Sequence, residues 1–276
     1  MKITEYPSAQ FFDENDVLIK DGTNGTKQMK ASDAVYALFD GIPKMHREIY
    51  RGKNLGGTYT SAQKEAISSG TFHDLWIGDY WEINGHKYYI ADFDLFYKKG
   101  YNDGNRNATH HAVVILEGGA DPTPRNFGGV KKWYPTSEIR TNGLTTSRGY
   151  VNAAFPDSVM TYTVEYGVSY DTAVISFQTF DATIELMSDL NIAPNSNALF
   201  KGNTPGNSQQ FKLFQIDPDL SHYCDSSIDY THRFFTTSAD WRIPDDYEVG
   251  FDKKGDSFGI HKSEASRIWV YFLLKG

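Results

Sequence analysis

The chain has 276 residues, of which 39% are hydrophobic and 15% aromatic, and its 27 basic and 35 acidic side chains give a formal net charge of −8. This length suits one large domain with a small companion, and the 18 Tyr and 18 Phe favour β-structure, because rings pack well on pleated surfaces. The acidic balance argues against a general nucleic-acid binder, which needs basic side chains to release counterions from phosphate.

Cysteine content and hydropathy further restrict the kind of protein and its cellular compartment. The single cysteine, Cys224, excludes an internal disulfide framework and a cysteine-based zinc site, and it favours a reducing compartment. The first residues lack the apolar stretch of a secretory signal, and no run approaches the roughly 18 apolar residues of a membrane helix. We therefore expect no signal peptide and no membrane insertion.

Residues 1–40 are predicted to form a small separate module. Strands over 16–20 and 26–30 flank a turn-rich segment, and a short helix follows Ser32 as its N-cap. Such a module buries too little surface to be stable alone, so it must pack against something else. It is either an arm packed on its own domain or an attachment or oligomerisation module. The apolar residues predicted to make the docking contacts are Val17, Ile19, Val35 and Leu38.

Residues 41–70 are predicted to connect this module to a main domain of residues 71–276. Pro43 prevents the first helix from continuing, and glycines mark turns after it. A second short helix is predicted over 61–69, with Thr60 or Ser61 as N-cap and Gly70 just past its end.

The stretch 76–96 carries the strongest hairpin signal. Asn84-Gly85 lies between two runs rich in Trp, Tyr and Ile, and this dipeptide supplies the positive φ angles of a type I′ turn. Large side chains that recur at alternate positions are expected to anchor a core on one face: Trp81, Ile83, Tyr88 and Ile90.

Several further strands are predicted along the main domain. Residues 112–116 form an unbroken apolar run, which predicts a central strand buried on both faces. Alternating residues between 159 and 180 predict two more strands, and 182–190 predicts a short element at the edge of the core. The end of the chain is predicted to close as an antiparallel meander, with strands over 233–237, 247–251, 257–261 and 267–274.

Asp92, Asp94, His110 and His111 form the first candidate for a chemical site. Carboxylates two residues apart on a strand lie on one face, and a nearby imidazole can complete a metal or acid–base site. The alternative is that the aspartates hold loops by hydrogen bonds and the histidines flank a buried strand. Because Phe93 is expected to face the core, both aspartates are expected to point outward together.

Other catalytic patterns are weak or missing. No nucleophile elbow, phosphate-binding loop, dinucleotide fingerprint or zinc-protease motif occurs. Cys224 has His222 two residues away, and carboxylates pair at Asp217/Asp219 and Asp245/Asp246, but these pairs are expected in loops. We expect no enzymatic activity, no metal and no cofactor.

Aromatic side chains in polar loops indicate a binding surface. Rigid rings give contact area at a low entropic cost and suit the faces of sugars, although each ring alone is more often a core residue. The residues predicted to bind a ligand are Trp133, Tyr134, Tyr223, Tyr230, Trp241, Arg242 and Tyr247. The long polar loop over 191–210 supports the same interpretation.

Several segments resemble appendage proteins of tailed phages and prophages from gut Firmicutes, in a family with a C-terminal domain of unknown function. The most specific are WIGDYWEINGHKYYIADFDLF at 76–96 and HHAVVIL at 110–116. The others are IELMSDL at 184–190, FKLFQIDP at 211–218 and RIWVYFLL at 267–274. The run DVLIKDGTNGTKQMKASDAVYAL at 16–38 is similar to a short starting module of phage tail and head fibre proteins.

The resemblance implies an α+β protein in which the docking module precedes a C-type lectin-like domain. It implies a virion protein made in the bacterial host cytoplasm, a tail-tip or fibre adhesin for a host-surface glycan or protein, and a homotrimer. The alternatives are a head fibre or capsid decoration protein, and a carbohydrate-active hydrolase using Asp92, Asp94 or residues 217–219. No E-P-N, Q-P-D or W-N-D motif is present, so calcium-dependent sugar binding is not implied.

Overall fold

A computed structural model describes residues 17–20, 27–98, 107–117, 139–170, 174–187, 191, 210–217, 247–251, 258–262 and 270–276. These residues form helices and antiparallel sheets, so the predicted α+β class is confirmed. Among them, no helix has the length and apolar character needed to cross a bilayer.

The first described elements are a hairpin and a helix, in the predicted order. Strands β1 (Val17–Lys20) and β2 (Lys27–Lys30) pair antiparallel, and helix α1 (Ala31–Phe39) follows β2 directly. A 3₁₀ helix over Pro43–Arg47 comes next. Proline is favourable at the start of a helical turn, where its missing N–H is not needed.

Helix α2 (Ser61–Ser68) has the N-terminus that its sequence predicts. The Thr60 hydroxyl accepts a hydrogen bond from the Gln63 backbone at 3.3 Å, and the Gln63 side chain accepts one from the Thr60 backbone at 2.9 Å. This reciprocal capping box identifies Thr60 as the N-cap. Gly70 follows the helix with φ of +69°, as predicted for a glycine beyond a helix end.

The hairpin around Asn84-Gly85 is confirmed. Strands β3 (Tyr80–Ile83) and β4 (His86–Phe93) pair antiparallel, and the two turn residues have φ of +53° and +79°. Positive φ at both central positions is the requirement of a type I′ turn. The side chains predicted to anchor the core from this hairpin are all buried.

The remaining elements follow in chain order. They are β5 (Ala112–Leu116), a π-helical turn (Ile139–Gly143), α3 (Thr145–Ala154), β6 (Tyr162–Tyr170), β7 (Val174–Ala182), β8 (Ile184–Leu186), α4 (Leu213–Ile216), β9 (Tyr247–Phe251), β10 (Phe258–Lys262) and β11 (Val270–Leu274). Pairs β6–β7 and β9–β10 are two-stranded antiparallel hairpins. Strand β8 is the short edge element predicted within 182–190.

Five strands form the main sheet, in the order β3-β4-β5-β11-β8. Strand β5 is central and all five of its residues are buried, as predicted. The prediction of one closing meander is wrong, because β11 lies between β5 and β8 and not beside β9 or β10. The five residues of β11 are all buried, and a strand without polar alternation requires cover on both faces.

Residues 41–70 pack on the main sheet. Tyr59, Ala66 and Ile67 belong to the same buried cluster as the hairpin side chains. The edge of β3 is covered as well, because Leu55 donates its N–H to the Tyr80 carbonyl at 2.7 Å. Asn54 also forms an isolated parallel bridge with Tyr80. Covering an edge strand in this way prevents pairing with another chain. The division at residues 41 and 71 stays a prediction.

Candidate functional site

The predicted ligand-binding residues lie almost entirely outside the described residues. These are Trp133, Tyr134, Tyr223, Tyr230, Trp241 and Arg242. The backbone of Tyr247 begins strand β9. Cys224, His222, Asp219 and the Asp245/Asp246 pair also lie outside the described residues. The binding surface that these residues predict therefore stays a prediction.

The predicted docking residues lie on the first hairpin and on α1. Val17 and Ile19 belong to β1, while Val35 and Leu38 belong to α1 with 44% and 71% of their surface exposed. Sequence reasoning missed Ile42, which is 48% exposed. Ile42 lies beyond the end of α1 and its backbone is extended, so helical periodicity gave no signal for it. We call these three side chains the exposed apolar stripe.

The opposite side of α1 is attached to the main domain by an aromatic contact. The ring centroids of Tyr36 and Trp76 lie 5.4 Å apart, and the Arg51 guanidinium lies 5.5 Å from the Tyr36 centroid. The fully buried His46 ring lies against the same tryptophan, with centroids 4.3 Å apart. The helix is thus fixed by Tyr36, although it carries exposed apolar side chains.

Asp40 fastens the end of α1. Its Oδ1 accepts the backbone N–H of Asp74 at 2.6 Å, and its Oδ2 contacts Nδ1 of His73. Both ring nitrogens of His46 face carbonyl oxygens, Nε2 that of Asp40 at 2.9 Å and Nδ1 that of Leu75 at 2.6 Å. Polar contacts therefore fix the direction in which the exposed apolar stripe faces.

The prediction that Asp92 and Asp94 point outward together is wrong. Asp92 is fully buried, whereas the side chain of Asp94 is 24% exposed. The register between β4 and β5 shifts between Ile90 and Asp92, so Ala91 is an extra residue on β4. Residues 88–93 of β4 are all buried, so both faces of the strand are covered and Asp92 is buried on the face opposite Phe93.

Four N–H groups saturate the Asp92 carboxylate. Arg47 donates from Nε to Oδ1 and from Nη2 to Oδ2, the latter at 3.0 Å, and the backbones of Phe93 and Lys212 donate at 2.8 and 3.2 Å. A carboxylate has roughly four acceptor positions, so this one has no capacity left for a substrate or metal ion. Asp92 is an anchor for the 3₁₀ helix and for the segment at residue 212, which confirms its predicted hydrogen-bonding role.

Two further buried carboxylates have the same arrangement. Asp79 accepts from Nε and Nη2 of Arg51, the latter at 2.6 Å, and Glu185 accepts from Arg140 with Nη2–Oε1 at 2.9 Å. In both pairs the acid has almost no exposed surface. Each arginine fork joins segments far apart in the chain, which indicates a structural role for these ion pairs.

Asp94 binds both histidines in a different way. Its Oδ1 accepts the backbone N–H of His111 at 3.0 Å, and its Oδ2 lies 2.7 Å from Nδ1 of His110. The φ of Asp94 is +51°, a left-handed conformation that is uncommon outside glycine. Asp94 thus holds the chain just before β5 and orients one half-buried imidazole.

His111 is a buried, neutral ring with a defined tautomer. Nδ1 faces the Thr109 carbonyl at 2.9 Å and must donate, so Nε2 accepts the backbone N–H of Phe96 at 3.2 Å. Burial lowers the pKa of His111, against the opposing effects of the Thr109 carbonyl, Asp94 and Asp92. Protonation of Nε2 would place its N–H against the backbone N–H of Phe96, so that two donors would face each other without an acceptor.

We therefore expect stability to fall as the pH drops below the unfolded histidine pKa of about 6.5. Above that pH, His111 is neutral in both the folded and the unfolded chain. Below it, His111 of the unfolded chain binds a proton, whereas His111 of the folded chain stays neutral until the pH is lower. The slope from this one group is at most about 1.4 kcal/mol per pH unit. Urea unfolding between pH 5 and 8, followed by tryptophan fluorescence, measures it.

Two variants isolate the contribution of His111. His111→Gln should flatten the pH dependence, while Thr109→Ala, which keeps the backbone carbonyl, should retain the wild-type slope. An unchanged slope in His111→Gln would show that other groups cause the acid sensitivity.

Within the described part of the chain, no group of three His, Cys, Asp or Glu side chains is arranged to hold a metal ion. No protein-family model, curated protein or solved structure matches the chain.

Proposed function

We propose that this chain is a structural protein of a phage virion, an adhesin at a tail tip or fibre. Residues 1–40 dock it to other virion proteins, and a C-type lectin-like domain presents loops to a glycan or protein on the host surface. The proposal includes a homotrimer assembled in the bacterial cytoplasm and located in the virion. It rests on the resemblance of segments 16–38 and 76–116 to phage appendage proteins.

The exposed apolar stripe is the observation that carries the docking proposal. Val35, Leu38 and Ile42 are the large hydrophobic side chains that the described part of the chain exposes, and they lie within eight consecutive residues. A cluster of this kind on an otherwise polar surface is typical of a protein interaction site.

The attachment of α1 supports the same proposal. Tyr36 and Asp40 hold the helix to the main domain, and Val35 and Leu38 remain accessible on it. A helix fixed in this way can present an apolar surface without paying the entropic cost of ordering on binding. This favours an attachment module over an arm that only covers its own domain.

We expect a Val35→Ser/Leu38→Ser variant to be depleted at least tenfold from purified particles. The variant loses two apolar side chains that would contact other virion proteins. Its folding should be nearly unaffected, because substitutions at exposed positions change the free energy of unfolding by only about 0.5 kcal/mol. The phage whose genome encodes the chain is propagated with its own copy deleted and the variant supplied in trans. Immunoblotting of purified particles measures incorporation, and circular dichroism checks folding.

Ala37→Ser is the matched control, because Ala37 is exposed on the same helix and lies outside the stripe. It should incorporate like the wild type. Equal incorporation of the double variant would overturn the docking proposal, and absence of the wild-type chain from particles would overturn the virion assignment. Immunogold labelling of the wild type distinguishes a tail position from a head position.

A further inference from the structure

Three titratable side chains meet where α1 ends. Asp40 directly follows the helix, and its side chain is 17% exposed. Its Oδ2 contacts Nδ1 of His73, which is 74% exposed, and its Oδ1 lies 3.9 Å from Nε2 of the fully buried His46. Among the described residues, no lysine or arginine pairs with Asp40. Within this part of the chain, imidazole rings from outside α1 are therefore the groups that can match its negative charge.

The position of Asp40 makes that charge unfavourable unless it is paired. The C-terminal end of a helix carries the negative end of the backbone dipole, so it disfavours a carboxylate and favours a cation. The last turn of α1 contains no basic side chain. A protonated His73 would supply a positive charge from the neighbouring turn of the chain and would bond to the carboxylate at the same time.

The turn that carries His73 is strained and depends on Asp40. Phe72 and Asp74 adopt φ of +54° and +49°, left-handed conformations that are costly for residues other than glycine. The Phe72 ring packs on Phe93 with centroids 4.4 Å apart, and Asp74 donates its N–H to Oδ1 of Asp40 at 2.6 Å. Such conformations persist only where their surroundings hold them, so this turn and the end of α1 stabilise each other.

The other charged groups around this turn already have partners. The Asp74 carboxylate binds Nη1 of Arg51 at 2.5 Å and Nζ of Lys53 at 3.1 Å, and Arg51 also binds the buried Asp79. The ammonium and guanidinium groups stay charged in the range where histidine titrates, so the imidazole at this turn is the group that responds to mild acid.

We propose that His73 and Asp40 form a pH-sensitive clasp that holds α1 more firmly to the main domain in mild acid. Protonation of the imidazole turns their contact into a charge-assisted hydrogen bond, which is about twice as strong as a neutral one. Histidine gains its proton in mild acid, where a carboxylate is still ionised, so the firmer hold is present there and is lost as the pH rises past neutrality. Stronger acid, which protonates carboxylates, should release the helix again.

The clasp also determines how rigidly α1 presents the exposed apolar stripe. That consequence for docking rests on the proposed function, whereas the clasp itself is a property of the isolated chain. Absence of the chain from particles would leave the clasp intact. A missing pH response of α1 would leave docking through the exposed apolar stripe intact.

Hydrogen exchange of the full chain, read by mass spectrometry, tests the proposal. Protection factors corrected for the intrinsic pH dependence of exchange should rise about threefold to tenfold over residues 31–40 between about pH 8 and about pH 5.5. The Asp40 N–H, bonded to the Tyr36 carbonyl at 2.9 Å, is one of the amides that report on the helix. His73→Gln, which keeps a hydrogen-bonding side chain but cannot gain the charge, should abolish the rise. Asp40→Asn, which can still accept the Asp74 N–H, should abolish it as well.

His86→Gln is the matched control, because the His86 ring packs against Tyr150 with centroids 4.1 Å apart and no carboxylate of the described residues contacts it. This variant should keep the wild-type rise. Protection in β5 should not rise in parallel, because protonation of His111, directly before that strand, is unfavourable. The proposal is wrong if protection over residues 31–40 does not rise in mild acid, if β5 rises equally, if His73→Gln keeps the rise, or if His86→Gln loses it.

Discussion

Replacing Arg51 with Met is expected to lower the free energy of unfolding by about 3–5 kcal/mol. Asp79 is fully buried and Arg51 is 8% exposed, so the variant leaves a buried carboxylate without its counterion. The backbone N–H groups of Lys53 and Trp76 still donate to it, each at 2.9 Å, but they carry no net charge. A domain of this kind has only about 5–15 kcal/mol of stability, so this loss is a large part of the total.

Urea unfolding followed by tryptophan fluorescence measures the loss as a shift in midpoint. Lys53→Met is the matched control, because its ammonium pairs with Asp74 at 3.1 Å and both side chains are about half exposed. An exposed pair contributes roughly 0–1 kcal/mol, so the midpoint should hardly move. Equal effects of the two substitutions would show that burial of Asp79 does not determine the energetics of this ion pair.

Local sequence signals predicted the local structure well. The Asn84-Gly85 turn, the Thr60–Gln63 capping box and the buried run of β5 each depend on residues within a few positions of one another. Their geometry follows from backbone sterics and from the local pattern of apolar residues, which a single sequence contains.

Long-range structure was not predictable in the same way. The burial of Asp92 depends on an arginine 45 positions away and on Lys212, 120 positions away. Strand β11 lies between β5 and β8 because it pairs with these distant strands. Alternation along one strand assigns each residue to a face only where the register is continuous. Alternation also does not show whether the face opposite the core is covered, and for this reason the prediction for Asp92 was wrong.

The candidate docking surface also combines a pattern that is local in the sequence with long-range contacts that the sequence does not show. The apolar spacing of Val35 and Leu38 was visible in the sequence, but their exposure depends on Tyr36 and Asp40 contacting the main domain.

Replacing Phe155 with Ala is also expected to cost about 3–5 kcal/mol, because it opens a cavity where four rings meet. Phe155 is fully buried after the end of α3. Its centroid lies 5.0 to 5.6 Å from those of Tyr59, Trp81, Tyr88 and Phe272, three of them in edge-to-face geometry. Edge-to-face pairs contribute about 0.5–1.5 kcal/mol each beyond burial.

The four partners come from separate parts of the chain, so this one ring joins the 41–70 segment, the β3–β4 hairpin and β11. Burial also raises the pKa of Tyr88 to about 12, and its hydroxyl donates to the Tyr150 carbonyl at 3.2 Å. Urea unfolding should show a smaller loss for Phe155→Leu, which fills part of the cavity. Asn152→Ala, at an exposed position of α3, should change stability by no more than about 0.5 kcal/mol. If Phe155→Ala unfolded like Asn152→Ala, the four ring contacts of Phe155 would not contribute to the stability of the core.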